Sequence, residues 1–268
     1  MMLEMLLILL AGLGLVQAAP PDMPGFSRGW SDDFVGTPNS LPDSANWRVD
    51  VGTSYPSGPP QWGTGEVQTY TSKPETLRLT GDGNLYITPP RIETQRADFK
   101  AQPGGKLRIS ARIMMPDVTG GTAAGYWPAF WSMGEDNMNG INRVYGVLDC
   151  GVEHGGPCKE NLGFGNQISC PGTLCQGNFH EFTIEVDRST KPKKLTCMVD
   201  SVHYHSVFEQ EVGAETWAKA VHHGHFILLN VAMGGAFPNS QAGGQTPTSA
   251  TVLDKGMLVD WVAVYDSV

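Results

Sequence analysis

An all-β sandwich is predicted by this sequence on three observations. Apolar and polar residues alternate in short stretches, "NLYITP", "GKLRISARIMM", "RVYGVLDCG", "HEFTIEVD", "KLTCMVDSVHYHSV", "HFILLNVAMG" and "MLVDWVAVYD", which is the period-two signature of half-buried strands. The 33 glycines and 19 prolines in 268 residues imply many turns, and they cluster with Asn and Asp between those stretches. Helical spacing is confined to "GAETWAKAV", about two turns long, so helices are accessories to the sheets.

Read from the N-terminus, "MMLEMLLILLAGLGLVQAA" is an apolar run ending in small residues, the pattern of a secretory signal peptide cut after Ala18. Glu4 stands where a basic residue is usual. Residues 1–18 are therefore assigned to a signal and 19–268 to a single domain, secreted and extracellular, with no membrane contact once the signal is removed. The loop stretches "YPSGPPQWGTG" and "FPNSQAGGQTPTSA" are too short to link domains. Alternation in "MLVDWVAVYD" predicts that the C-terminal segment is paired into a sheet.

A net charge of −9 argues against nucleic acid or another polyanion as partner, and no basic stripe is present. The five cysteines are Cys150, Cys158, Cys170, Cys175 and Cys197. In a secreted chain the short separations favour disulfides Cys150–Cys158 and Cys170–Cys175, leaving Cys197 as a buried thiol inside "KLTCMVD". Zinc is the competing reading, but no second Cys-x-x-Cys or His spacing supports it. "HHGH", His222 to His225, is read as a solvated turn entering a strand, because adjacent strand residues point to opposite faces.

Several pieces, in order over nearly the whole of residues 19–268, resemble glycoside hydrolase family 16: "WSDDF", "GEVQTYT", "DGNLYITPPR", "PGGKLRISARIMMP", "GYWPAFWSMGED", "NGINRVYG", "FHEFTIEVD", "YHSV", "LLNVAMGGAFP" and "VDWVAVYD". The resemblance implies a β-jelly-roll of the concanavalin A-like lectin/glucanase type, acting as a monomer on β-glucan or a related polysaccharide without a cofactor. It implies an ancestral retaining endo-hydrolysis of 1,3- or 1,3;1,4-linked glucan. Tyr126, Trp127 and Trp131 offer flat apolar faces on which a pyranose can stack, and Glu66, Gln68 and Asn230 could bind its hydroxyls. Core packing and turn satisfaction are the alternative roles for the same residues. Asp32 and Asp260 could hold a structural calcium between the chain ends, as in some relatives. Asp187 and Asp200 read as turn residues, and Val186 stands where many relatives place Trp.

The family's catalytic strand reads Glu-x-Asp-x-x-Glu, or one residue fewer; the first Glu attacks the anomeric carbon and the last protonates the leaving oxygen. It should fall between "WPAFW" and "NGINRVYG", where only "SMGEDNM" is found. From Glu135, the positions two and five further on are Asn137 and Gly140; from Asp136 they are Met138 and Ile141. The family's next strand, usually Gly-Thr-x-His, reads Gly146, Val147, Leu148, Asp149. Asp149 and Glu153, four apart, copy the outer spacing of the shorter motif, so Asp149, Glu153, Glu135 and Asp136 are the available substitutes. Otherwise they are ordinary polar residues at a strand end or in a loop. Three functions remain open: an enzyme using substitute carboxylates, a non-catalytic β-glucan-binding protein, or an incomplete splice or gene-model product.

Overall fold

A computed structural model describes residues 19–56, 58–134 and 165–268. The catalytic substitutes Glu135, Asp136, Asp149 and Glu153, the pair Cys150–Cys158, the stretch "RVYGVLDCG" and the leader 1–18 lie outside the described residues.

Twelve strands are described. They are β1 (Phe26–Asp32), β2 (Trp47–Asp50), β3 (Leu77–Leu79), β4 (Leu85–Ile87), β5 (Arg91–Thr94), β6 (Lys106–Met114), β7 (Tyr126–Gly134), β8 (Phe179–Asp187), β9 (Lys194–Val199), β10 (Val202–Phe208), β11 (His225–Met233) and β12 (Met257–Ser267). Among the described residues they form two antiparallel sheets. The larger runs β10-β9-β8-β6-β12-β4-β3, with β1 also paired to β12, and the smaller runs β2-β5-β11-β7. β12 is long enough to pair with β4 through Met257–Val259 and with β1 through Val262–Ser267. The C-terminal strand is thus held in the sheet, and β1 begins ahead of "WSDDF", at Phe26.

Alternation decides which side chains meet between the sheets. In β6, Leu107, Ile109, Ala111 and Ile113 point inward with Val262 and Val264 of β12, against Trp47, Ile92, Ile227, Leu229 and Val231 of the smaller sheet. Each large apolar side chain so enclosed stabilises the fold by about 1.5–3 kcal/mol. The alternate β6 residues face out and make cross-strand pairs: Lys106 with Asp187, Arg108 with Glu185, Ser110 with Thr183, and Arg112 with Asp260. A bulge between Val259 and Trp261 in β12 lets Trp261, Ala263 and Tyr265 form a second apolar cluster on the outer side.

Among the described residues three short α-helices fill edges. α1 (Glu209–Val212) and α2 (Ala214–Val221) meet at Gly213, whose φ of 82° needs a residue without Cβ. Trp217 and Val221, one turn apart on α2, cover Val207 of β10. α3 (Ala236–Ala242) follows β11. On the inner side of β8 and β9, Phe182, Ile184 and Cys197 line a cleft of about 610 Å³ whose other wall is β7.

Two expectations are corrected here, the solvation of "HHGH" and the full burial of Cys197. The carboxylates read as possible calcium ligands have separate partners: Asp32 accepts from the Phe34 amide, Asn46 Nδ2 and Trp47 Nε1, while Asp260 is paired with Arg112. Among the described residues no group of three or more His, Cys, Asp or Glu is arranged to hold a metal. "HHGH" is the turn entering a strand that the sequence predicts, but half-buried rather than solvated: His222 and His223 form a bend after α2 ends at Val221, and His225 opens β11 with the His223 ring stacked 4.6 Å from its own. The Cys197 thiol is half-buried rather than fully enclosed.

The disulfide Cys170–Cys175 is present, with Cα atoms 5.3 Å apart. His180 clasps the loop it closes, its Nε2 lying 3.1 Å from the Leu174 carbonyl while Nδ1 meets Asp200 at 2.6 Å. Peptide mapping without reduction is expected to recover the 170–175 link and Cys197 as an alkylatable thiol. A link to Cys197 would contradict this pairing.

Candidate functional site

The candidate site is the face of the smaller sheet turned away from the core. Register places Arg48 and Asp50 of β2 beside Glu93 and Arg91 of β5, and Arg91 beside Asn230 of β11, which lies beside Ala129 of β7. Trp127 and Trp131, two residues on either side of Ala129, share that face. Residues 51–56 and 58–70 fold over it: Gly52 bridges to Tyr70, and the Val67 amide donates to the Met233 carbonyl (2.9 Å).

Charge on this face is arranged as a lattice. Arg91 Nε lies 3.0 Å from Asp50 Oδ2, and Arg48 pairs with the fully buried Glu93. Tyr55 joins the pairs, its OH accepting from Arg91 Nη2 (2.5 Å) and donating to Glu93 Oε2 (2.8 Å). Burial outweighs the attraction of Arg91 and Arg48 and raises the Asp50 pKa, and burial pushes the Tyr55 phenol up to about 12. Aromatic rings enclose the Arg91 guanidinium: Trp62 at 4.6 Å, Tyr55 at 4.9 Å and Trp131 at 5.2 Å. Trp62 is carried by a turn in which Gln61 and Trp62 have φ of 52° and 54°, a left-handed conformation that neither residue prefers.

A second network surrounds Glu66. Its carboxylate accepts from Thr64 Oγ1 (2.8 Å), Gln68 Nε2 (2.5 Å) and Tyr70 OH (2.9 Å). Gln68 Oε1 in turn accepts from the Met233 amide (2.8 Å), which staples the 64–70 segment to the end of β11. Asn230 accepts from Trp131 Nε1 (2.8 Å) and donates from Nδ2 to Tyr70 OH (3.4 Å). Trp127 packs against Phe237 of α3, ring centroids 5.3 Å apart, with Phe237 itself 45% exposed.

Of the six residues read from the sequence as sugar-binding, five come together at this face: Trp127, Trp131, Glu66, Gln68 and Asn230. Tyr126 does not. As the neighbour of Trp127 in a strand it points the other way, packs against the inter-sheet core, and exchanges hydrogen bonds with the Val252 carbonyl (2.9 Å) and Lys255 amide (3.0 Å). Sequence reasoning missed Tyr55, Trp62, Arg91, Asp50, Glu93 and Phe237. A signal existed for the β2 and β5 residues, since "WRVD" and "RIET" place charges in alternation with apolar residues.

No family model matches the sequence, and no curated protein matches it. Solved structures do. The chain is 43% identical to an endo-1,3-beta-glucanase from Streptomyces sioyaensis, over 93% of this chain and 99% of that one, with a TM-score of 0.88. It is 25% identical to an endo-beta-1,3-glucanase from Pyrococcus furiosus, over 91% and 95% of the two chains, with a TM-score of 0.67. The fold alone is shared with the laminarinase catalytic domain of Thermotoga petrophila RKU-1, at 21% identity over 90% and 98%, with a TM-score of 0.66. The two-layer antiparallel sandwich is accordingly a β-jelly roll. The chain belongs to glycoside hydrolase family 16.

Proposed function

We propose that this protein is a secreted, monomeric β-1,3-glucan-directed member of the family that binds the polymer on its aromatic sheet face and hydrolyses it at no more than background. One observation carries the reading. The face has flat apolar surfaces suited to pyranose rings, yet its described carboxylates, Asp50, Glu93 and Glu66, are each committed to neighbouring donors. Retaining hydrolysis needs two carboxyl groups about 5 Å apart, one ionised to attack and one protonated to release the leaving oxygen. A carboxylate whose oxygens are already occupied by the Thr64, Gln68 and Tyr70 donors is poorly placed to attack a sugar or to serve its leaving oxygen. No Glu-x-Asp-x-x-Glu stretch occurs in the sequence to supply another pair. The names of the Streptomyces and Pyrococcus relatives support 1,3-linked glucan as the polymer.

Migration through native gels containing laminarin tests the binding. The protein should be retarded relative to a laminarin-free gel, and Trp127→Ala should remove most of the retardation. Loss of one buried aromatic contact is expected to weaken binding by about 1–3 kcal/mol, roughly five- to 150-fold. Retardation unchanged in the variant would remove Trp127 from the binding face.

A further inference from the structure

The hydrogen bonds around Asn230 form a line whose direction is fixed at both ends. At one end the Trp131 indole can only donate; at the other, an ionised Glu66 can only accept. Glu66 accepts a hydrogen bond from the Tyr70 hydroxyl at 2.9 Å. The Tyr70 oxygen is then left with lone pairs, and the Asn230 Nδ2 group donates to it at 3.4 Å. This turns the other end of the Asn230 amide, Oδ1, toward Trp131 Nε1 at 2.8 Å. Reversing any member would set two donors or two acceptors against each other in a buried place, where an unpaired polar group is costly. Tyr70, Glu66 and Asn230 are all buried, so sugar hydroxyls do not compete for these bonds.

The geometry points to Glu66, Tyr70 and Asn230 as positioning residues that fix the plane of the Trp131 indole, rather than as ligands of the sugar. Their line starts from an anchored segment, because Gln68 ties it to β11, and ends at the ring that also carries the Arg91 guanidinium on one side. A ring held this way loses little rotational freedom on binding, which is the physical advantage of a preorganised face. The inference rests on the glucan-binding reading for its consequence, but its structural content does not.

Two variants test it, Tyr70→Phe and Asn230→Leu, each checked for folding by circular dichroism. With ¹⁵N-labelled tryptophan, the protein shows one indole N–H resonance for each of its seven tryptophans, and Trp131→Phe identifies the relevant one. The expected result is that both variants shift the Trp131 indole resonance and speed its hydrogen exchange, and weaken laminarin binding by roughly three- to tenfold. Weakened binding with an unmoved Trp131 resonance would make these residues direct sugar ligands and overturn the inference. An unmoved resonance with unchanged binding would overturn it too. Should the unmutated protein fail to bind laminarin, the proposed function falls, and the indole resonance alone still decides whether the relay holds Trp131.

Discussion

Incubated with laminarin, the protein should release reducing ends no faster than buffer, and insertion of a Glu-x-Asp-x-x-Glu strand between Glu135 and Asn139 should raise the rate by at least about a thousandfold. The magnitude follows from how the work is divided. Nucleophile and acid each lower the barrier by several kcal/mol, and about 4 kcal/mol corresponds to a factor of a thousand. In the sequence the insertion point follows closely on β7, the strand that carries Trp127 and Trp131. The control is the double variant Asp149→Asn, Glu153→Gln in the unextended chain. If the unmodified protein cleaves laminarin briskly and the double variant does not, these two carboxylates are a working pair and the proposal of background activity is wrong.

What could be read from the sequence, and what could not, divides along a physical line. Period-two alternation identified β6, β8, β11 and β12, because one side of each strand faces the core and the other carries polar or outer-cluster residues. The same alternation separates Tyr126 from Trp127, since neighbours in a strand cannot share a face. Cys170–Cys175 was legible because five residues of separation leave little choice of geometry. Tyr55 and Trp62 were not legible. They sit in an irregular segment whose path is set by left-handed residues and by contacts with Arg91, which is distant in sequence, and no local pattern reports such contacts. Glu66 was legible as important but not in its role. Three donors converge on it only once the 64–70 segment is folded.

The burial of His225 at the start of β11 was not legible for a related reason, and it predicts a large effect of pH on stability. Its Nε2 lies 3.1 Å from the Ala220 carbonyl and so carries the ring proton, while Nδ1, 3.3 Å from Ser132 Oγ, accepts. A second proton would have to enter at Nδ1, against the Ser132 hydroxyl and beneath the stacked His223 ring. Burial, reinforced by His223, lowers the His225 pKa from 6.5 to about 4. Above pH 6.5 neither folded nor unfolded chain holds the extra proton, and the contribution to stability is intact. Between about 6.5 and about 4 the unfolded chain takes it up and the folded chain does not, so stability falls, by up to about 3 kcal/mol in all. His222, also lowered, acts in the same direction; Asp50, raised by burial, acts in the opposite one at the acid end. Urea unfolding at pH 7 and pH 4.5 isolates the His225 share when the protein is compared with His225→Gln, which retains a donor and an acceptor but does not titrate. The unmutated protein should lose clearly more stability over that interval than the variant. Equal losses in the two proteins would show that His225 accepts its second proton as readily folded as unfolded, and that the Ser132 and His223 contacts place no penalty on it.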